Sequence, residues 1–433
     1  MRARESVTTV TAGSSHKTDG SGPLYRCLEK DQSLHPWAER YSCYGRTPGL
    51  PCGWNAGDHD NCISGPRRLR ISPHGTLGSV SYSQGDVPAV LQLASLTGMW
   101  GISFIISLVP AALATAWNGR HEHRLARRIV LLGTLPAIAT FVFGLVRLAM
   151  PVPAHEVPVG LAASDIDTAR RLERNEPGEP LQVLRAFANR AGMLASRGAR
   201  VVVLPEKFVA VTPEYADAAR AILSAAAREH QATIVAGWYV LTGSERRNVA
   251  VVFGPSGDVI LEYDKQHLVP GIEWGYRAGS SIGLLPGETV TTGVAICKDL
   301  DFVPLGRAYA RAGVGLLLVP AWDFVNDRWL HSRMAVMRGV EGGYAIVRTA
   351  TDGLLTVSDA RGRIVAERSS SESTDVLLNT AVPVGDGGTF YSRSGDWFAW
   401  LCVLTSGGCV VAAGIQGRRR RNRGHYDIVA AGH

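Results

Sequence analysis

The sequence predicts an α/β layered domain carried between membrane-spanning helices, and three observations predict it. Between residues 151 and 396, apolar strand-like runs alternate with amphipathic helical patterns. Two long uncharged stretches precede this segment and a third follows it. The excess positive charge sits beside those stretches and not within the α/β segment. The bulk composition agrees: 433 residues, 46% hydrophobic and 19% charged, allow a sizeable core and exclude a disordered polyelectrolyte or a collagen-like repeat. Seven Cys without a CxxC pair exclude a disulfide scaffold and give no support to a zinc ribbon.

Taken in order, residues 1–86 form a polar tail rich in Gly, Ser and Arg, with Cys27, Cys43, Cys52 and Cys62 and no apolar run of signal-peptide type. Those Cys either form an oxidised module with three possible pairings, or the natural start lies upstream with earlier membrane helices; the second is the expectation, because nothing in the tail explains its export. Residues 87–150 hold two membrane helices. The first lies in the run Val87 to Gly119, with a bend at Pro110, and the second is Ile129 to Val146, with Arg147 placed to snorkel to the interface. Strands are expected at Val157–Ala163, Arg200–Leu204, Thr233–Val240, Val249–Phe253, Val259–Tyr263, Thr289–Ile296, Gly315–Val319, Tyr344–Thr349 and Leu355–Ser358. Helices are expected at Leu181–Arg197 and Tyr215–Glu229, and GPSGD at Gly254–Asp258 reads as a hairpin turn. Residues 397–417 are the third span, opened by two Trp of interfacial type and carrying Cys402 and Cys409 as small apolar residues; 418–433 is a basic tail.

The 45 Lys plus Arg against 38 Asp plus Glu give a net charge of +7. Four Arg and one Glu place +3 in loop 118–128, five Arg and one Asp place +4 in residues 416–433, and the remainder is neutral. A nucleic-acid binder spreads its basic residues over a folded face, so no nucleic-acid partner is expected. The positive-inside rule instead assigns both clusters to the cytoplasm and residues 151–396 to the extracytoplasmic side.

Three chemically capable residues each follow or end an apolar strand: Glu206 after VVVLP, Lys265 after VILEYD and Cys297 after TTGVAI. Singly, each has an ordinary explanation as a cap, a surface cation or a small buried hydrophobe. Together they supply a base, an oxyanion-stabilising cation and a nucleophile.

VVVLPE, YDKQHLVPGIE and GVAICKD, in that order, resemble the Glu, Lys and Cys motifs of the carbon-nitrogen hydrolase (nitrilase) superfamily, whose fold is a four-layer α-β-β-α sandwich. LQLASLTGMWGISFII, a second membrane helix, the hydrolase segment and TFYSRSGDWFAW before a last membrane helix resemble the arrangement of the bacterial apolipoprotein N-acyltransferases, over residues 75–420. The resemblance implies an enzyme of the bacterial inner membrane in which Cys297 takes an acyl chain from a phospholipid as a thioester. The chain then passes to the N-terminal amine of an S-diacylglyceryl-cysteine lipoprotein, with Glu206 as general base and Lys265 stabilising the oxyanion. It also implies Glu273 as a supporting carboxylate. Lys298 and Asp299 replace the family's aromatic and glutamate after the nucleophile, and a cation at 298 is expected to lower the thiol pKa. Trp322, Phe324 and Trp329 are candidate acyl-chain contacts. The family has eight membrane helices where three are legible here.

No cofactor is expected, since neither GxxxxGK nor GxGxxG occurs. No metal is expected either: His267 and His331 lack ligand spacing and read as supporting residues. A membrane-tethered amidase or nitrilase would use the same three residues, and a non-catalytic membrane protein retaining the fold is a further alternative. The thiol would have to survive outside the cytoplasm, where exposed thiols oxidise.

Overall fold

The computed structural model describes residues 72–430 apart from 152–154, 165–178, 286 and 288. Cys27, Cys43, Cys52 and Cys62 lie outside the described residues. The end of the polar tail packs on the domain: Tyr82, in the 3-10 turn Val80–Gln84, is buried, and Thr76 Oγ1 donates to the Asp301 carbonyl at 2.8 Å.

The uncharged run from Val87 does not form one helix. Two single turns, α1 (Pro88–Leu91) and α2 (Ala94–Thr97), precede α3 (Met99–Asn118). Gly98 makes the break, with φ at 64° in the region that disfavours side chains, and a Cβ there would lie 2.4 Å from the Tyr391 ring. Pro110 lies inside α3. The chain returns through α4 (His123–Ala149), and the pair approach closely through small residues: a Cβ on Gly133 would lie 2.1 Å from that of Ala112.

The first sheet is built from β1 (Glu156–Ala163), α5 (Glu179–Ser196), β2 (Val201–Val203), β3 (Val209–Val211), α6 (Ala216–Glu229), β4 (Thr233–Thr242), β5 (Glu245–Phe253) and β6 (Val259–Asp264). The second follows as β7 (Gly283–Leu285), β8 (Thr291–Val294), α7 (Val303–Arg311), β9 (Val314–Trp322), α8 (Arg328–Gly342), β10 (Ala345–Thr351), β11 (Leu354–Ser358) and β12 (Ile364–Ser369), ordered β12-β11-β10-β9-β8-β7. β13 (Val376–Pro383) then crosses back antiparallel to β1, completing the first sheet as β13-β1-β2-β4-β5-β6 with β3 beside β4. A short α9 (Phe390–Ser394) leads into α10 (Trp397–Ala430). The helix thus runs on through the basic tail, and its apolar part, Trp397–Arg418, joins α3 and α4 as the three helices among the described residues that are long and apolar enough to cross a membrane.

Side-chain periodicity explains the layers. One core cluster takes inward residues of both sheets, among them Val159, Leu161, Val203, Val252, Leu316, Leu318 and Val347. The other face of the first sheet packs under α5 and α6, whose buried Ala219, Leu223, Ala226 and Ala227 fall on one helical stripe. The other face of the second sheet packs against α7 and α8. β9 is parallel to both neighbours and buried from Val314 to Ala321, which is why VGLLLVPA reads as an unbroken apolar run. The result is the four-layer α-β-β-α sandwich. Sequence reading passed over β3, β7, β12 and β13, which are short or carry polar edge residues, and over α7 and α8.

α8 is hard to recognise because its buried face is charged. Ser332 to Gly342 are all buried, including Arg333, Arg338 and Glu341. Arg338 pairs with Glu341 at 2.5 Å and donates to Tyr82 Oη at 2.7 Å, while Glu341 Oε1 accepts the Met99 amide, the first of α3, at 2.9 Å. Burial pushes the Glu341 carboxyl up to about 7 against the pull of Arg338. Asp396 accepts Trp100 Nε1 at 3.0 Å and the Tyr391 hydroxyl at 2.7 Å, tying α3 to the start of α10. Glu341→Ala leaves the Arg338 guanidinium buried without its carboxylate, so a loss of about 3–5 kcal/mol is expected, read as a lower denaturant midpoint of the detergent-solubilised chain. A loss below about 1 kcal/mol, the scale of an exposed pair, would contradict this account.

Candidate active site

Each expected catalytic residue leaves the carboxyl end of a strand. β2 ends at Val203, and Leu204–Pro205 carry Glu206 across the gap between sheets, where its amide donates to the Ala321 carbonyl at 3.3 Å. Gly237 permits this path, because a Cβ there would sit 2.3 Å from the Pro205 carbonyl oxygen. Lys265 follows β6 directly, its amide held by the Asn248 carbonyl at 2.9 Å. Cys297 opens a 3-10 turn (Cys297–Asp301) after β8 with φ at 42°, a positive value rare for a residue with a side chain.

The structure brings these residues together. Lys265 Nζ lies 2.8 Å from Glu206 Oε1 and 3.1 Å from Glu273 Oε2, with all three side chains at most 2% exposed. Asn248, which sequence reading missed, donates through Nδ2 to Glu206 Oε1 and Glu273 Oε1, each at 2.6 Å. Lys207, also missed, reaches Glu273 Oε1 at 3.2 Å from the rim. Glu206 Oε2 is buried without a hydrogen-bond partner among the described residues, which leaves it open to a proton. The Cys297 thiol donates to the Trp322 carbonyl at 3.4 Å.

Electrostatics separates the roles. Burial alone would lower the Lys265 ammonium, but Glu206 and Glu273 outweigh it and hold the group well above its ordinary value. Burial likewise opposes ionisation of Glu273, yet Lys265 and Lys207 bring its carboxyl down to about 2. Burial and then the Glu206 charge push the Cys297 thiol well above its ordinary range, with Lys265 pulling against them. That direction favours the neutral thiol at Cys297.

Lys298 does not supply the expected second cation. Its Nζ turns to Asp301 at 3.2 Å, over the Phe302 ring, and the thiol is raised and not lowered. Asp299 is a brace: Oδ2 accepts the Tyr263 hydroxyl at 2.8 Å and the Ile296 amide at 3.1 Å, while Oδ1 accepts the His267 amide at 2.9 Å. It thereby joins the Cys297 turn to the Lys265 loop, and His267 lies beside it, Nδ1 at 3.1 Å, stacked on Phe302. Beneath Trp322, Asp323 forms a buried two-armed pair with Arg348, and His331 stands 3.4 Å from it. Trp322 meets the site through its carbonyl, and its ring lies 5.9 Å from Lys207 Nζ. Phe324 is exposed on the next loop, whereas Trp329 donates to Asp86 at 2.9 Å and is not joined to the thiol. Trp274, next to Glu273, is 75% exposed and was not singled out from sequence.

Asn248→Ala removes two charge-assisted hydrogen bonds, each of about 1.5–3 kcal/mol, so stability and kcat/KM are both expected to fall, while Asn248→Asp adds a third carboxylate and is expected to abolish activity. Equal activity of the two variants would refute this bridging role. The lowered Glu273 group binds fewer protons folded than unfolded, so its contribution is full above about pH 4.5 and is lost as pH falls through about 2. Unfolding midpoints of the protein and of Glu273→Gln should therefore converge at low pH; a constant gap from pH 7 to 2 contradicts the assignment. Alkylation of Cys297 in the free protein should be slow at neutral pH and climb above pH 9, and a plateau near pH 7 would contradict the neutral thiol.

Residues 171–387 match the carbon-nitrogen hydrolase family. An apolipoprotein N-acyltransferase of Geobacter metallireducens is 29% identical over 373 residues, covering 77% of this chain and 69% of that protein. One of Bradyrhizobium diazoefficiens is 25% identical over 365 residues, covering 73% and 65%. The chain thus spans about two thirds of the length of these curated relatives. A solved amidase from Nesterenkonia sp. aligns with a TM-score of 0.46 at 22% identity, over 55% of this chain and 92% of that one. With half of its length inside the family match and the family's fold in its two sheets, the chain belongs to the carbon-nitrogen hydrolase family.

Proposed function

We propose that this protein is a membrane-embedded cysteine acyltransferase. It moves an acyl chain from a phospholipid, through a thioester on Cys297, to the N-terminal amine of an S-diacylglyceryl-cysteine lipoprotein. The observation that carries the reading is the enclosed group of Glu206, Lys265 and Cys297, with one oxygen of Glu206 unpartnered among the described residues, in a chain whose curated relatives are named apolipoprotein N-acyltransferases.

Glu206 takes the thiol proton as the sulfur attacks the ester carbonyl, and the ammonium of Lys265 stabilises the oxyanion of the tetrahedral intermediate. Collapse breaks the ester C–O bond, and the lysophospholipid oxygen leaves with the proton held by Glu206. In the second half, the neutral amine attacks the thioester and gives a proton to Glu206. The C–S bond breaks, and the thiolate recovers that proton. Water is the competitor at this stage, and a closed site with a buried ion cluster favours the bound amine over it.

The raised thiol suits this sequence, because a protonated sulfur is spared oxidation until a substrate is in place. α3, α4 and α10 are the proposed spans, with loop 118–128 and the basic end of α10 in the cytoplasm and the hydrolase domain on the outer side of a bacterial inner membrane. The domain limits follow: spans within 87–150 and 397–417, and the hydrolase domain at 151–396.

Incubating the chain with a defined diacyl phospholipid, without acceptor, is expected to leave one acyl increment on the Cys297 peptide by mass spectrometry, discharged by a diacylglyceryl-cysteine peptide. Lys265→Met should prevent the adduct. A clean thiol together with turnover of small amides would instead establish an amidase.

A further inference from the structure

Three arginines converge where α4 ends, from parts of the chain the proposed chemistry does not use. Arg147 stands in the last turn of α4, and Arg361 and Arg363 lie in the turn between β11 and β12. Arg361 donates to the Met150 and Pro151 carbonyls, and Arg363 to the Leu148 carbonyl, so the turn grips the end of the helix. Cations at a helix C-terminus are ordinary, and one would suffice to cap it. The surplus is what calls for explanation.

The cluster is built from beneath. Gln92, fully buried, accepts Arg147 Nη1 at 2.6 Å and donates to the Arg361 carbonyl at 2.8 Å. Asp359, 2% exposed, accepts the Arg361 and Arg363 amides at 2.9 Å each and faces the Arg363 guanidinium at 3.5 Å. Asp359 is the one carboxylate paired with any of the three guanidinium groups among the described residues, so two positive charges are left over. The rim is apolar and open: Met150 is 55% exposed, Val365 39% and Ile364 37%. The membrane-spanning reading of α4 puts this patch at the level where hydrocarbon gives way to headgroups.

We propose that Arg147, Arg361 and Arg363 form a binding site for the phosphodiester of an anionic membrane phospholipid, with Ile364, Val365 and Met150 against its upper acyl chains. Guanidinium groups held in place lose little freedom on gripping phosphate oxygens in pairs. The lipid held here is a structural ligand. The site depends on α4 spanning the membrane and not on acyl transfer, so either can fail alone.

The test is native mass spectrometry of the full detergent-solubilised chain titrated with phosphatidylglycerol, phosphatidylcholine, or inorganic phosphate. Phosphatidylglycerol is expected to bind most tightly, and Arg361→Gln with Arg363→Gln to weaken it by about thirtyfold; Arg361→Lys should show a smaller loss. Because the double variant removes helix-end contacts, phenylglyoxal modification of the unaltered protein is mapped alongside. Phosphatidylglycerol, and not phosphatidylcholine, should protect Arg361 and Arg363. Equal binding of both lipids with no protection overturns the proposal, as does protection by inorganic phosphate at the same concentration, which would mark a simple anion site. The acyl increment on Cys297, measured in parallel, reports the catalytic reading separately.

Discussion

The arrangement depends on one enclosed balance of charge. Lys265 cannot be buried alone, since an unpaired ammonium in a low-dielectric interior costs several kcal/mol; nor can Glu206 or Glu273. Two carboxylates and the two ammonium groups of Lys265 and Lys207 cancel, and Asn248 fixes the two carboxylates relative to each other. Neutrality as a set is what lets these groups lie beside a thiol and away from water. It also leaves little tolerance, because removing any member strands another.

The supporting contacts serve that balance by crossing between sheets. Glu206 comes from the first sheet and its amide is held by Ala321 on β9; Asp299 comes from the second and takes amides from Gln266 and His267 after β6. The Arg348–Asp323 pair anchors the segment whose carbonyl receives the thiol. The two sheets are therefore registered at the site itself as well as through their shared apolar core.

The four-layer sandwich was implied by the resemblance of the three motifs to the nitrilase superfamily. Apolar runs and the strand-end positions of Glu206, Lys265 and Cys297 made an α/β layered domain and its proposed reactive group legible in the sequence, because buried parallel strands leave local patterns. Contacts made across sheets leave none. Arg348 interrupts the apolar run of β10 and Asn248 stands directly before the apolar run of β5, signals of buried polar partners that do not name them. Lys298 misled, since a cation adjacent to a nucleophile in sequence points to Asp301 in space. α8 escaped because its charges are buried and paired, the reverse of an amphipathic pattern, and the apolar run from Val87 hid the turn at Gly98, where an uncharged sequence gives hydropathy nothing to register.

α8 has a property that neither of its ends shows alone. Its first turn carries His331 beside Asp323, under the segment that receives the thiol, and its last turn carries Glu341 on the first amide of α3. Fifteen residues of α-helix measure about 22 Å. With Met99 at the membrane boundary, as proposed, this rod acts as a ruler that sets the height of Cys297 above the hydrocarbon. The hydrolase domain is then not a head swinging on a tether. On the proposed topology its reach into the headgroup layer is fixed when the chain folds, and a bilayer of different thickness would move the proposed site around Cys297 bodily with the helix that supports it.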